Sequence, residues 1–306
     1  MDRGNKDVKF VAYVVEKTLE DSNGGSLVLA HHLHALCDMG YKTELINLTE
    51  QIPQDTDYVM FQSEWWAHIK LLLEQSNAKR ICWLGHYNTS LIYGMPKISE
   101  IKADYFHTQY KGEAVSWGKE QIGKPIYYLP HAGCHKCNTE GKFIKGTPKA
   151  VIVRNKFKER SEDWLDYANI TAINAPFETI KDIYASAIVS PCIHGDFQKG
   201  KECEFFQTPA HMINERIFQV ILSGGFCISD DTPIVAEFFS KDEVPQCETR
   251  EEFKEKIEFF ISNPDKRIPY MEKAKEKILN NHLYKHRWQK YLLSELGLTG
   301  RNIKNS

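Results

Sequence analysis

The polar residues with the clearest chemical potential gather at the start of one predicted helix. Asn214, Glu215, Arg216 and Gln219 precede or open a helix whose later residues are apolar. Free N–H groups at a helix N-terminus and a guanidinium attract a diphosphate, while a carboxylate or amide one turn later can hold ribose hydroxyls. The pattern equally fits a solvated first turn in which Arg216 pairs with Glu215 or Glu237.

A second candidate lies between the first predicted strand and its helix, at Asn23, Gly24, Gly25 and Ser26. Glycines and free N–H groups at a helix start suit a phosphate or an acceptor hydroxyl. The spacing is neither Gly-x-Gly-x-x-Gly nor a P-loop, because no Gly-Lys-Ser/Thr follows. A plain structural turn explains the same glycines.

Alternating strands and helices must position these groups. A β-branched and aromatic run at residues 8–15 predicts a strand, and Ser26 and Gly40 can cap and end the helix after it. Further predicted strands cover 41–47, 57–62, 80–84, 103–108, 125–130, 150–153, 170–174, 188–190 and 224–229. Predicted helices cover 67–75, 161–167, 177–187, 212–223, 251–261 and 270–280. This alternation predicts a parallel sheet in each half.

The chain of 306 residues, 42% of them apolar, is long enough for two domains. We predict an α/β protein with two Rossmann-like domains facing across a cleft, where ligands lie beyond the carboxyl ends of the strands. The predicted boundaries are 1–132 for the first domain, 133–149 for a linker, 150–281 for the second domain and 282–306 for a tail. Leu283, Trp288, Tyr291 and Leu292 share one face of that tail, so its helix can pack back toward the first domain.

Bulk composition narrows the function classes. A formal net charge of −2 gives no general attraction to nucleic acid or to an anionic membrane. No run approaches the roughly 18 apolar residues of a membrane span. The charged start, Met1 to Lys9, does not resemble a signal peptide, and the eight scattered cysteines suggest reduced thiols. We therefore expect a cytoplasmic protein.

An ordered series of short motifs runs through the second half of the chain. It comprises Asn214–Arg216, Ser223–Phe226, Asp230, Ile234–Phe239, Glu251–Ile257, Asn263–Arg267 and Asn281–Arg287. The series resembles the C-terminal domain of the CgeB-like group 1 glycosyltransferases. That resemblance implies the GT-B fold, a nucleotide diphosphate sugar bound mainly by the second domain, a hydroxyl acceptor, retention of anomeric configuration and no metal ion or other cofactor.

The chemistry of such a transfer suggests roles for individual residues. Arg216 and Arg154, with Lys156 or Lys158 as substitutes for the latter, would stabilise the leaving diphosphate. His86 follows a predicted strand and could orient the acceptor or take its proton. The remaining donor-binding candidates are Asn214, Glu215, Gln219, Ser223, Gly224, Gly225, Lys156 and His131, the last lying in a Leu-Pro-His motif.

One departure from the family pattern keeps other functions open. The wider superfamily places two glutamates with seven residues between them, whereas this chain has His211 and Gln219 at those positions. A neutral amide binds a ribose hydroxyl less strongly than a carboxylate. The chain could thus be a non-catalytic nucleotide or glycan binder. A glycosyltransferase acting on modified DNA bases is a further alternative, in which Trp65 and Trp66 would stack on bases, although the net charge disfavours nucleic acid.

A cysteine and histidine cluster raises the separate question of zinc. His131, Cys134, His135 and Cys137 include a Cys-x-x-Cys unit. A closed zinc site draws on two separated ligand pairs, so Cys192 or His194 would have to complete it. Since the unit lies at no strand-to-helix junction, a redox-active pair is less favoured than zinc.

Overall fold

The computed structural model describes residues 7–15, 24–85, 98–111, 123–153, 162–194 and 212–298. Up to residue 130 the strands and helices are β1 (Lys9–Val14), α1 (Gly24–Asp38), β2 (Lys42–Asn47), β3 (Tyr58–Gln62), α2 (Trp66–Glu74), β4 (Lys79–Trp83), β5 (Tyr105–Thr108) and β6 (Ile126–Tyr128).

The later strands are β7 (Val151–Val153), β8 (Thr171–Ile173), β9 (Ser190–Cys192), β10 (Cys227–Asp230) and β11 (Gln246–Cys247). The later helices are α3 (Glu162–Tyr167), α4 (Phe177–Ser186), α5 (Glu215–Leu222), α6 (Pro233–Ala236), α7 (Arg250–Ser262), α8 (Ile268–Asn281) and α9 (Tyr284–Tyr291). Among the helices of the described residues, none is both long enough and apolar enough to cross a membrane.

The chain divides into two compact units. The N-terminal unit comprises Met1–Pro130 together with Tyr284–Ser306, and the C-terminal unit comprises His131–Leu283. The sheet of the N-terminal unit has six parallel strands in the order β2-β1-β3-β4-β5-β6. Every residue from Phe10 to Val14 is fully buried, as expected for the central strand of a parallel sheet. Leu29, Leu33 and Leu36 form the buried face of α1 that their spacing predicts.

The sheet of the C-terminal unit is also parallel. Strands β7 and β8 pair with each other, and β9, β10 and β11 form a second set. An isolated bridge between Ala150 and Val189 joins the two sets, which gives the order β8-β7-β9-β10-β11. Chain order reverses between β7 and β9, and this topological switch point is where open α/β sheets bind ligands. Both units are therefore Rossmann-like, which confirms the predicted fold class.

The C-terminal helix belongs to the N-terminal unit, as its apolar face predicts. Trp288 in α9 is fully buried and packs edge-on against Phe10, with ring centroids 5.9 Å apart. Its indole N–H donates to Nδ1 of His32 at 3.0 Å. Beyond the helix, the carbonyl oxygen of Leu296 accepts a hydrogen bond from the hydroxyl of Tyr58 at 3.2 Å.

Residues 133–149, predicted as a linker, lie within the C-terminal unit. They contain no helix or strand apart from an isolated bridge at Gly133. Their backbone is nevertheless well anchored, because the N–H of Lys142 donates to Asp182 at 2.7 Å and that of Ile144 donates to Ser186 at 2.6 Å. Both acceptors belong to α4, so this segment runs along that helix.

Candidate functional site

The carboxyl edge of the sheet in the C-terminal unit collects the first set of predicted site residues. Helix α5 connects β9 to β10, and a helix between two parallel strands begins at the edge where the first strand ends. The start of α5, the end of β9 and the end of β10 therefore share that edge. Asn214, Arg216, His194 and Asp230 occupy these positions.

Asn214 sets the start of α5. Its backbone is extended, with φ −74° and ψ 134°, and its side-chain oxygen accepts the backbone N–H of Arg216 at 2.9 Å. This cap explains why the helix begins at Glu215 instead of the predicted Met212. One N–H of the first turn is thus satisfied within the chain. The apolar face of α5 then packs into the core through Ile217, Phe218, Val220, Ile221 and Leu222.

Arg216 is half-buried and interacts with Tyr184 of α4. Burial raises the pKa of Tyr184 to about 12, while the charge of Arg216 and its hydrogen bond to the phenol act in the opposite direction. The charge of Arg216 also acts on the thiol of Cys227, the first residue of β10. The guanidinium therefore lies close to α4 and β10 and is held by Tyr184.

Glu215 and Gln219 are four residues apart and so share one face of α5. Both are half-buried. A hydrogen bond with Cys134 and burial raise the pKa of the Cys137 thiol, and the charge of Glu215 adds to this effect. Glu215 consequently lies near the Cys-x-x-Cys turn, in which the N–H of Cys137 donates to the carbonyl oxygen of Cys134 at 3.2 Å.

A buried polar network joins the ends of β9 and β10. The backbone N–H of His194 lies 2.9 Å from both carboxylate oxygens of Asp230, and its ring Nδ1 lies 3.0 Å from Oδ1. Ser229 Oγ lies 3.1 Å from both that nitrogen and Asp230 Oδ1. On the other side of the ring, Nε2 lies 3.8 Å from the sulfur of Cys192.

The charge state of His194 follows from these contacts. Burial alone would favour the neutral ring, but the sulfur of Cys192 and the hydrogen bond to Asp230 outweigh it and raise the pKa of His194 to about 10. These contacts therefore favour the protonated form of the His194 ring, beside the carboxyl group of Asp230. The sequence suggested His194 and Cys192 only as zinc ligands. The contact between His194 and Asp230 was not predictable from a local pattern, because the two residues are 36 positions apart.

Three predicted donor-binding residues lie at the opposite end of α5. Ser223 caps the C-terminus of the helix, and Gly224 follows with φ +84°, a left-handed conformation that favours glycine. A Cβ on Gly225 would stand 2.8 Å from the carbonyl oxygen of Tyr184. The structure thus places these residues at the turn into β10 and does not bring them together with Asn214.

The two glycines that the sequence singled out open α1, the first helix after β1. Gly24 and Gly25 are the first two residues of the helix. Ser26 lies inside the first turn, so it is not the N-cap that the sequence suggested. Its hydroxyl oxygen is buried and accepts the N–H of Val15 at 3.0 Å. Ser26 therefore ties the end of β1 to the start of α1.

Several predicted residues cannot be assigned a place. His86, Arg154, Lys156, Lys158 and His211 lie outside the described residues. His131 is buried and is the first residue of the C-terminal unit.

Comparison with known proteins supports the assignment of this architecture. Residues 174–293, which include α5 and the network at Asp230, match the family described as Glycosyl transferase-like. No curated protein matches the chain.

Solved structures share the fold along most of the chain. A sucrose-phosphate synthase from Thermosynechococcus elongatus is similar with a TM-score of 0.58 at 8% identity, covering 95% of this chain and 97% of its own. Anabaena HepE in complex with UDP-glucose has a TM-score of 0.56 at 10% identity, covering 94% and 99%. A DNA-modifying β-glucosyltransferase has a TM-score of 0.63 at 10% identity, covering 92% and 97%.

At such low identities the structural similarity establishes the fold alone. The two Rossmann-like units and the similar solved structures show the GT-B fold, and residues 174–293 are similar to the glycosyl transferase-like family.

Proposed function

We propose that the protein transfers a sugar from a nucleoside diphosphate sugar to a hydroxyl group of an acceptor. The observation that carries the proposal is the start of α5 at the carboxyl edge of the sheet, where Asn214 caps the helix and Arg216 lies in the first turn. Helix N–H groups and a guanidinium at a switch point favour a diphosphate. The complex of HepE with UDP-glucose makes UDP-sugars the first donors to test.

In the proposed reaction the bond between the anomeric carbon and the diphosphate oxygen breaks, and a bond to the acceptor oxygen forms. Negative charge builds on the diphosphate as it leaves. Arg216, held by its hydrogen bond to Tyr184, stabilises that charge together with the N–H groups of α5. His86 takes the acceptor proton, and Arg154 and Lys156 assist at the diphosphate. The reaction needs no metal ion and retains the anomeric configuration.

Donor recognition is proposed to include Glu215 and Gln219 on one face of α5, with Gln219 as the ribose contact. Since an amide replaces a carboxylate there, weaker donor binding is expected than with glutamate. If the chain only binds the donor, nucleoside diphosphates will bind without transfer or hydrolysis. Gly24, Gly25 and Ser26 are proposed to lie near the acceptor or a phosphate, and the protein is proposed to act in the cytoplasm.

A modified base in DNA is a second candidate acceptor. The observation that favours it is the similarity to a DNA-modifying β-glucosyltransferase at a TM-score of 0.63. Trp65 and Trp66 are buried, so they do not offer the stacking surfaces that the sequence suggested. DNA binding that weakens steeply with salt is the result this candidate requires.

The main test is donor turnover by Arg216→Ala. Removing one charged donor from a transition-state site typically costs a factor of roughly 10² or more in rate, so turnover of a responsive UDP-sugar should fall by about that factor. Arg216→Lys should retain part of the activity, and Arg250→Ala on exposed α7 is the matched control. Unchanged turnover in Arg216→Ala would remove this residue from the mechanism.

A further inference from the structure

Two cysteines of the C-terminal unit lie in one tight turn. The N–H of Cys137 donates to the carbonyl oxygen of Cys134 at 3.2 Å, and the N–H of Asn138 donates to the same oxygen at 2.7 Å. The side-chain oxygen of Asn138 in turn accepts the N–H of Cys134 at 3.1 Å. These three hydrogen bonds fix the backbone at both ends of the turn.

The turn is also anchored to the rest of the C-terminal unit. The N–H of Gly133 donates to the carbonyl oxygen of His282 at 2.8 Å, and Gly133 forms an isolated bridge with Leu283. A Cβ on Gly133 would lie 2.6 Å from the side chain of Leu222, so the backbone passes close to α5 at this point. The two cysteines therefore stand on a backbone that is held in place.

The side chains of Cys134 and Cys137 contact each other. Their sulfur atoms lie within 4.8 Å of one another, and the two side chains share a hydrogen bond. A turn closed by a hydrogen bond between its first and fourth residues keeps the Cα atoms of those residues less than about 7 Å apart. A disulfide spans Cα separations of roughly 4.4–6.8 Å. Rotation of the side chains therefore suffices to bring the two sulfurs to bonding distance.

The other use of this pair is the zinc site that the sequence suggested. That site needed Cys192 or His194 as a further ligand. Among the residues that the structure describes, neither of these two places a ligand atom within 4.8 Å of both sulfurs. His194 instead contacts Asp230, and its Nε2 lies 3.8 Å from the sulfur of Cys192. The geometry of the turn thus favours a reaction between its two thiols.

We propose that Cys134 and Cys137 form a reversible dithiol–disulfide couple, a redox-sensitive modification site of the C-terminal unit. A small disulfide such as oxidised glutathione is the oxidant. Cys137, the more exposed of the two, attacks one sulfur of the oxidant and releases a first glutathione. Cys134 then attacks the sulfur of Cys137 in the mixed disulfide and releases the second. Two protein thiols are oxidised, one glutathione disulfide is reduced, and the two thiol protons leave on the two glutathione molecules.

The test equilibrates the full chain with defined ratios of reduced and oxidised glutathione, alkylates the remaining thiols and maps the products by peptide mass spectrometry. Burial and the hydrogen bond raise the pKa of the Cys137 thiol, which slows its attack near neutral pH, so the products are read at equilibrium. We expect a bond between Cys134 and Cys137 at ratios that leave the exposed thiol of Cys37 mostly reduced. Dithiothreitol should restore both thiols.

Single variants separate the two steps of the exchange. With an excess of oxidised glutathione, Cys134→Ser should retain glutathione on Cys137, because the second attack is lost. Cys137→Ser should leave Cys134 largely unmodified, since that side chain is buried. Cys37→Ser on α1 is the matched control and should form the internal bond at the same ratio as the wild type.

The proposal fails if the wild type keeps both thiols in an excess of oxidised glutathione, or if either cysteine bonds to a different cysteine. Stoichiometric zinc that the wild type retains and both serine variants lose would also overturn it, because the thiols would then belong to a metal. If Cys134→Ser does not fold, the wild type and Cys137→Ser decide. None of these results depends on nucleotide or sugar binding, so the proposed function and this inference succeed or fail separately.

Discussion

Replacing Asn214 by aspartate separates the structural role of this residue from its proposed role beside an anion. Asn214 accepts the N–H of Arg216 at 2.9 Å, and aspartate caps helices as well as asparagine does. A carboxylate at a helix N-terminus gains about 0.3–1 kcal/mol from the helix dipole. Asn214→Asp should therefore be as stable as the wild type or slightly more stable.

The same change should weaken binding of a diphosphate. A negative charge roughly 7 Å from a bound anion, at an effective dielectric of about 20 to 40, costs roughly 1–2 kcal/mol. That energy corresponds to a loss of about 5- to 30-fold in affinity at 25 °C. Uridine carries no phosphate, so its affinity should change little.

Titration calorimetry with UDP and uridine measures this loss, and urea unfolding measures stability. Thr249→Asp is the matched control, because Thr249 caps α7 by accepting the N–H of Glu252 at 3.1 Å. It should preserve both stability and UDP affinity. A folded Asn214→Asp protein that binds UDP as tightly as the wild type would refute the placement of the diphosphate at α5.

Two further predictions concern stability. Gly225→Ala should destabilise the fold by about 1–3 kcal/mol in urea unfolding. The added Cβ would lie 2.8 Å from the carbonyl oxygen of Tyr184 and 3.0 Å from that of Val220. An unchanged unfolding midpoint would contradict this close approach. Burial lowers the pKa of His107 from 6.5 to about 3. Between these pH values the unfolded chain binds a proton at His107 and the folded chain does not. The free energy of unfolding should therefore decrease as the pH falls from 6.5 toward 3, by up to about 1.4 kcal/mol per pH unit. Urea unfolding at about pH 7 and about pH 5 should show a smaller loss in His107→Phe than in the wild type, and equal losses would exclude His107 as the cause.

Most of the architecture could be predicted because it follows from local patterns. Strands such as β1 and β3 are continuous apolar runs, and Leu29, Leu33 and Leu36 mark the inner face of α1. The strand predicted at 188–190 lies instead at Ser190–Cys192, where it pairs with β10. Val189 forms only an isolated bridge to Ala150, and Pro191 within the strand obscures the sequence pattern. The two-residue strand β11 and the single turn α6 are too short to leave a periodic signal.

The candidate site was only partly predictable. The cap at Asn214 is a local signal, but the predicted helix began at Met212 and so did not use it. The pairing of His194 with Asp230 depends on two strand ends meeting in space, which no local pattern encodes. Likewise, Ser223, Gly224 and Gly225 follow Asn214 closely in sequence, but an intervening helix places them at its other end. The roles of His86 and Arg154 remain predictions.

Hydrogen exchange with and without UDP tests the central claim most directly, because a ligand gripped by backbone N–H groups slows their exchange. The account predicts that UDP slows exchange at the start of α5, above all at the amide of Glu215, and that uridine does so less. The amides of Arg216 and Ile217 already donate to Asn214, so a smaller change is expected there. Protection that appears elsewhere in the chain while the Glu215 amide exchanges as fast as without ligand would contradict the account.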